Sequence, residues 1–221
     1  MRRLAAALLL MLVAAAAAAA AECPPKGAAL PATTVAFETS VAEPVWTNSR
    51  GIDEITALLG RRRVPGGAFF DGLTRLRTEL ELAPVVRSWP LPGGRTCAVA
   101  GPLTARWRIA ETTVDVAREY PPGSCQYAAV ARHEATHVAL NRHVFDSYAP
   151  QLEARLKAVV AALGPVVVEG GREAANAMVL WRLGEGVRPL REAFERERAQ
   201  ANAGLDTAQS YRAVKAQCPR W

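Results

Sequence analysis

Histidine is nearly absent from this chain: three copies occur in 221 residues, and all of them lie between residues 133 and 143. Aromatic residues make up only 6% of the sequence, and the basic residues are scattered instead of forming a stripe. A nucleic-acid interface usually shows clustered basic residues with aromatic side chains among them. We therefore expect no nucleic-acid partner, although the formal net charge is +6.

Long hydrophobic runs are also absent, except at the beginning of the chain. Arg2 and Arg3 precede an apolar stretch that ends in Ala19, Ala20 and Ala21. This order predicts a signal peptide over residues 1–21, removed after Ala21. An uncleaved anchor is the alternative, but alanine drives membrane insertion only weakly. We expect an exported protein, periplasmic or secreted, that is not stably inserted in a membrane.

Cysteine is rare, and its even number is informative. Cys23, Cys97, Cys125 and Cys218 follow the predicted signal peptide. In an exported chain, four cysteines favour two disulfide bonds, and three pairings are possible. We expect Cys97 to pair with Cys125 and Cys23 with Cys218, the second bond joining the two ends of the mature chain.

Strand-like patterns dominate the first half of the mature chain. Apolar and polar residues alternate over Val35–Val41 and in two later segments, residues 103–110 and 113–120. A short helix is expected over residues 52–60, and the glycines and prolines of residues 60–72 indicate a loop. The sequence YPPGS then stops the sheet, and its serine, Ser124, is a suitable helix N-cap.

Helical patterns dominate the second half. One helix is expected from Cys125, and further helices are expected over residues 150–164, 172–183 and 190–203. Strands followed by helices predict an α+β fold. We expect a single domain over residues 22–221, with a small antiparallel sheet in residues 22–123 and helices in residues 124–221.

The histidine-rich segment contains the pattern HExxH, with His133, Glu134 and His137. Residues four apart on a helix differ by about 40° in direction, so both imidazoles project from one face and can bind one zinc ion. Glu134 is offset to the side of this pair. It is therefore placed to act as a general base on a water molecule that zinc polarises.

The third zinc ligand is less evident. His143 follows His137 by six residues, which on a continuous helix corresponds to a rotation of about 120°. His143 can reach the zinc only if the helix ends near Asn141, which tolerates the left-handed conformation better than most residues. We take His143 as the expected ligand. If the helix continues, the remaining candidates are Glu173, Glu169, Asp146 and Asp206.

The segment from Cys125 to His143 resembles the zincin metallopeptidases, and more loosely small bacterial exported proteins described as predicted zinc-dependent proteases. Its histidine spacing is similar to that of the metzincins, except that Leu140 stands where their pattern has glycine. The resemblance implies a zincin-like fold with a zinc site under a cleft. Metzincins also have a methionine turn beneath the zinc, but Met178 lies in an apolar helical run typical of core packing.

These residues predict an exported zinc-dependent hydrolase, most simply a peptidase whose substrate is a peptide or protein. Tyr148, Tyr211 and Arg142 are the candidate donors to the oxyanion, and the strand over residues 113–120 is the candidate edge for an extended substrate. Peptidoglycan cross-bridges are another possible substrate. The alternative is a non-catalytic exported domain, either with structural zinc or held by disulfides with a solvated HEATH face.

Overall fold

The computed structural model describes residues 22–59 and 71–221. The predicted signal peptide and nearly all of the predicted loop over residues 60–72 therefore lie outside the described residues. The described residues form an α+β fold with one five-stranded sheet and four α-helices. No helix among them is both long and apolar enough to cross a bilayer.

The sheet is organised around one long strand. Its strands are, in chain order, β1 (Val35–Val41), β2 (Val45–Thr47), β3 (Gly72–Leu91), β4 (Arg95–Val116) and β5 (Val166–Glu169). Strand β4 pairs with antiparallel β3 along nearly its whole length. On its other edge β4 pairs with antiparallel β5 and with parallel β1 and β2. The sheet is thus mixed, which corrects the expectation of an antiparallel sheet.

The four helices are α1 (Ile52–Leu58), α2 (Cys125–Ala162), α3 (Arg172–Leu205) and α4 (Ala208–Lys215). The two long helices, α2 and α3, cover one face of the sheet. In β4, alternate residues such as Trp107 are buried against α2 and α3, whereas Arg106 and Arg108 on the opposite face are half exposed. The rings of Phe145 and Phe194 lie 4.2 Å and 5.1 Å from the Trp107 ring. This aromatic cluster joins both long helices to the sheet.

Helices α2 and α3 are each longer than the sequence predicts, because each runs through an internal proline. Pro150 lies within α2 and Pro189 within α3, although an interior proline costs a helix about 3 kcal/mol. In α2 buried residues recur every three or four positions on both sides of Pro150, and in α3 they do so up to Val187, with Phe194 buried after Pro189. At Gly186 a Cβ would lie 2.6 Å from the methyl carbons of Val159, so this glycine allows close packing of the two helices.

The predicted strand β1 and the predicted helix α1 are confirmed, as is Ser124, whose hydroxyl accepts a hydrogen bond from the Tyr127 amide. Two predictions about the sheet are wrong: that residues 103–110 and 113–120 form two separate strands, and that the second of these is an edge strand. Residues 103–110 and 113–116 belong to the single strand β4, and residues 113–115 are paired on both sides, so they do not form an edge. Among the described residues only β4 is paired on both edges, and β1, β2, β3 and β5 each pair with β4 alone. Strand β3 has no counterpart among the strands predicted from the sequence.

Two disulfide bonds are present, but their pairing differs from the expected one. Cys23 pairs with Cys97, and Cys125 pairs with Cys218. Cys97 lies at the beginning of β4, and about 60 Å of extended chain separates it from Val116 at the other end, close to Cys125. The expected bond between Cys97 and Cys125, which would have joined the strand region to the start of α2, is therefore not formed. Two disulfides are consistent with an exported protein.

Candidate metal centre

The two histidines of the HExxH motif lie one turn apart on α2 and face the same point. The Nε2 atoms of His133 and His137 are 3.2 Å apart, and the rings are nearly perpendicular, with centroids separated by 4.8 Å. The side chains of His133 and His137 are only 12% and 6% exposed. The helix therefore presents two converging imidazole nitrogens in a largely buried position.

Asp206 completes a group of three at this point. It caps the C-terminal end of α3, and its Oδ1 atom lies 3.3 Å from His133 Nε2 and 3.0 Å from His137 Nε2. Within residues 22–59 and 71–221, these three side chains form the one group of His, Cys, Asp or Glu residues close enough together to hold a metal ion.

The spacing of the three atoms fits a tetrahedral metal ion. Zinc binds histidine nitrogen and carboxylate oxygen at about 2.0–2.2 Å, which places neighbouring ligand atoms about 3.3 Å apart. The three distances of 3.0, 3.2 and 3.3 Å are close to that value. Two imidazoles and one carboxylate are also a ligand set used by catalytic zinc sites, which keep a fourth position for water or substrate.

The other candidate ligands lie elsewhere. Helix α2 continues past Asn141, so His143 is rotated away from His137 and is exposed. Asp146 is exposed on the same helix, where it faces Arg142 at 3.9 Å. Glu169 in β5 and Glu173 in the first turn of α3 are also exposed. The structure therefore brings Asp206, and not His143, next to the two imidazoles.

Glu134 lies beside this group and is only 4% exposed. Its Oε2 atom accepts a hydrogen bond of 2.8 Å from the hydroxyl of Thr74 in β3. Burial raises the pKa of the Glu134 carboxyl, although the charge of His137 and the hydrogen bond from Thr74 oppose this effect. A carboxylate with a raised pKa accepts a proton more readily than an ordinary glutamate, as a general base requires.

Gly72 makes room for this carboxylate. A Cβ atom at Gly72 would lie 2.7 Å from Glu134 Oε1 and 2.7 Å from Val130 Cγ1. A Cβ atom essentially never lies this close to another heavy atom, so any side chain at this position would displace Glu134 or its helix. The beginning of β3 thus contacts Glu134 at two points, Gly72 and Thr74.

Of the three proposed oxyanion donors, only Tyr211 lies at the site. Its hydroxyl donates a hydrogen bond of 3.0 Å to Asp206 Oδ1, and its ring centroid is 5.7 Å from that of His133. Tyr148 instead donates to Glu197, and Arg142 faces Asp146. Burial and the nearby charge of Asp206 raise the pKa of Tyr211, so its hydroxyl keeps its proton at neutral pH.

The Asp206 carboxylate and the His137 imidazole alter each other's pKa. Burial would raise the pKa of Asp206, but hydrogen bonds from His133, His137 and Tyr211 outweigh it and lower this pKa. Burial would lower the pKa of His137, but its hydrogen bond to Asp206 and the charge of that carboxylate raise it. A cation with a higher charge than a protonated imidazole would have strong electrostatic attraction to this carboxylate.

Comparison with known proteins does not assign this site. No protein-family model matches the chain, and no curated protein and no solved structure is significantly similar to it. The resemblance to zincin peptidases therefore depends on the motif residues alone. What the site does has to be inferred from its own chemistry.

Proposed function

We propose that the protein is a zinc-dependent hydrolase that cleaves peptide bonds. The observation that supports this is the convergence of His133 Nε2, His137 Nε2 and Asp206 Oδ1 at distances that suit one tetrahedral ion, beside the buried carboxylate of Glu134. When bound, zinc would supply a Lewis acid that polarises a carbonyl group and makes water more acidic.

Within this proposal each nearby side chain has a distinct role. His133, His137 and Asp206 hold the ion. Glu134 removes a proton from the attacking water and delivers it to the departing amine, for which its raised pKa is suited. Tyr211 remains protonated and donates its one hydroxyl hydrogen to Asp206, so it would have to turn from this carboxylate to donate to the oxygen that becomes negatively charged during attack.

Strand β3 offers a place for an extended substrate. Its edge opposite β4 pairs with no other strand of the described residues, and Gly72 and Thr74 in this strand contact Glu134. A peptide bound along this edge would form main-chain hydrogen bonds, which are independent of its side chains. We therefore propose an extended peptide as the substrate class, in place of a folded surface.

The proposal is tested by peptide hydrolysis with the zinc-loaded mature protein. Glu134→Gln keeps the size of the side chain but removes the base, so we expect a loss of about 10²–10⁴-fold in turnover with zinc still bound. Glu173→Gln is the matched control, because Glu173 is exposed in the first turn of α3. Equal turnover by the native protein and Glu134→Gln would contradict the assigned role.

A structural zinc site is the second candidate. The low exposure of Glu134, at 4%, and the burial of both imidazoles favour it, because a structural site needs no access for substrate. Structural zinc contributes directly to folding. Two results together would support this second candidate: the zinc-loaded protein hydrolyses none of the peptides tested, and removing zinc lowers its melting temperature.

A further inference from the structure

Asn202 connects the candidate ligand His137 to a second buried amide. It lies in the last turn of α3, four residues before Asp206. Its Oδ1 atom is 2.7 Å from His137 Nδ1, and its Nδ2 atom donates to Asn141 Oδ1 at 2.8 Å and to the Arg198 carbonyl at 2.7 Å. Asn141 lies on α2 one turn after His137 and is 4% exposed.

The partners of Asn202 determine which way its amide points. A main-chain carbonyl can only accept a hydrogen bond, so the atom that faces Arg198 has to be the amide nitrogen. The amide oxygen then faces His137, and His137 Nδ1 has to carry the hydrogen that it accepts. In the neutral ring this leaves the lone pair on Nε2, the atom that faces His133 and Asp206.

We propose that Asn202 and Asn141 are positioning residues that fix His137 as an Nε2 ligand. This inference rests on the proposed metal site. Asn202 acts directly, by accepting the Nδ1 hydrogen, whereas Asn141 acts through Asn202 by fixing the orientation of its amide. Because Asn202 and Asp206 lie four residues apart, one turn at the end of α3 supplies both a ligand and the group that orients another ligand.

An amide suits this position better than a carboxylate. Asn202 accepts from His137 while it donates to two oxygen atoms, and a carboxylate has no hydrogen to donate to either. An aspartate here would also place a second negative charge close to Asp206. The neutral amide thus orients the imidazole without adding charge to the site.

The inference is tested by titrating the purified full-length oxidised protein with zinc, and with cobalt for its absorption spectrum. We expect Asn202→Leu to weaken zinc binding about 10–100-fold, the usual effect of removing such an outer hydrogen bond. Asn141→Leu should have a smaller effect, and the double variant should be no weaker than Asn202→Leu alone, because Asn141 acts through Asn202. Asn176→Leu, elsewhere in α3, is the matched control and should bind zinc like the native protein.

Asn202→Asp is the second variant, and it covers the case in which Asn202→Leu does not fold. It keeps the acceptor for His137 Nδ1, so its zinc affinity should fall by less than about tenfold and its cobalt spectrum should match that of the native protein. A larger loss of affinity in a folded Asn202→Asp variant would contradict the positioning role. A native protein that binds no zinc would overturn the proposed function itself. Native-like binding by Asn202→Leu, or additive effects in the double variant, would overturn only the positioning role.

Discussion

Cys125 and Cys218 are joined by a disulfide bond that links the first residue of α2 to the segment that follows α4, with a Cα–Cα distance of 5.8 Å. His133 lies eight residues after Cys125 on α2, and Asp206 lies twelve residues before Cys218. The disulfide and the candidate metal centre therefore connect the same two parts of the chain. Each connection restricts the movement of the segment that carries the other.

Removing this disulfide is expected to weaken metal binding. In the double variant Cys125→Ser with Cys218→Ser, the segment that carries Asp206 and Tyr211 loses one of its attachments to α2. Coupling between linked sites is commonly worth 1–3 kcal/mol, so we expect a loss of about tenfold in zinc affinity, measured by competition with a chelating dye.

The second disulfide provides the control for this prediction. Cys23 and Cys97 join the beginning of the described chain to β4, and neither residue is in the segments that carry the metal centre. Their replacement by serine should lower the melting temperature and leave the zinc affinity unchanged. An equal loss of zinc affinity in both double variants would show that the effect is one of general stability.

Gly72→Ala is expected to disturb Glu134. The added Cβ would lie 2.7 Å from both Glu134 Oε1 and Val130 Cγ1, so the helix or the carboxylate has to move. Overpacking of this kind usually costs about 1–3 kcal/mol in the free energy of unfolding. Urea denaturation would measure this cost. Peptide hydrolysis should also fall under conditions in which the variant is fully folded, because the displaced carboxylate is the proposed base.

Gly184→Ala is the matched control for this substitution. Gly184 lies within α3, and a Cβ there would meet no atom within 4 Å. Alanine is preferred over glycine inside helices by about 1 kcal/mol, so this variant should be more stable than the native protein. If Gly72→Ala were equally stable and equally active, the proposed fit between β3 and Glu134 would be incorrect.

Glu134→Gln is expected to make the metal-free protein more stable at neutral pH. The pKa of Glu134 is raised in the folded protein, mainly by burial, so the folded state holds this proton more tightly than the unfolded state. Stability therefore decreases as the pH rises from the ordinary glutamate pKa through the raised value. Replacing the ionised buried carboxylate with a neutral amide should add about 0.5–2 kcal/mol to the free energy of unfolding, the usual gain from a single stabilising substitution.

The pH dependence separates this effect from a change in packing. Thermal unfolding of the native protein and Glu134→Gln should converge in acid, below the ordinary pKa of glutamate, where the carboxyl is protonated in both the folded and the unfolded state. A difference in melting temperature that is the same at every pH would mean that ionisation is not its cause.

The local features of this chain could be predicted from its sequence. Ser124 correctly marked the beginning of α2. The spacing of His133 and His137 correctly placed both imidazoles on one face of that helix. Asp206 could only be named as one candidate among several. It lies 69 residues after His137, and no local pattern shows that the end of α3 returns to this helix.

Long-range pairing explains the other differences. Strand β3 is the exception, because Leu76, Leu80 and Leu82 alternate with polar residues and this local pattern was enough to predict a strand. The disulfide pairing followed from the length of β4, which places Cys97 and Cys125 far apart. Thr74, Gly72 and Asn202 have no sequence signal of their own, since each acts through a residue distant in the chain.

Zinc titration of four single variants distinguishes the proposed ligand set, which includes Asp206, from the one that the histidine spacing suggests, which includes His143. His137→Ala and Asp206→Ala should each weaken zinc binding by at least about 100-fold, more than the loss of an outer hydrogen bond. The matched variants His143→Ala and Asp146→Ala should bind one zinc ion per chain as the native protein does, because both side chains are exposed on α2. Native-like binding by Asp206→Ala together with a loss of zinc in His143→Ala would contradict the metal centre described above.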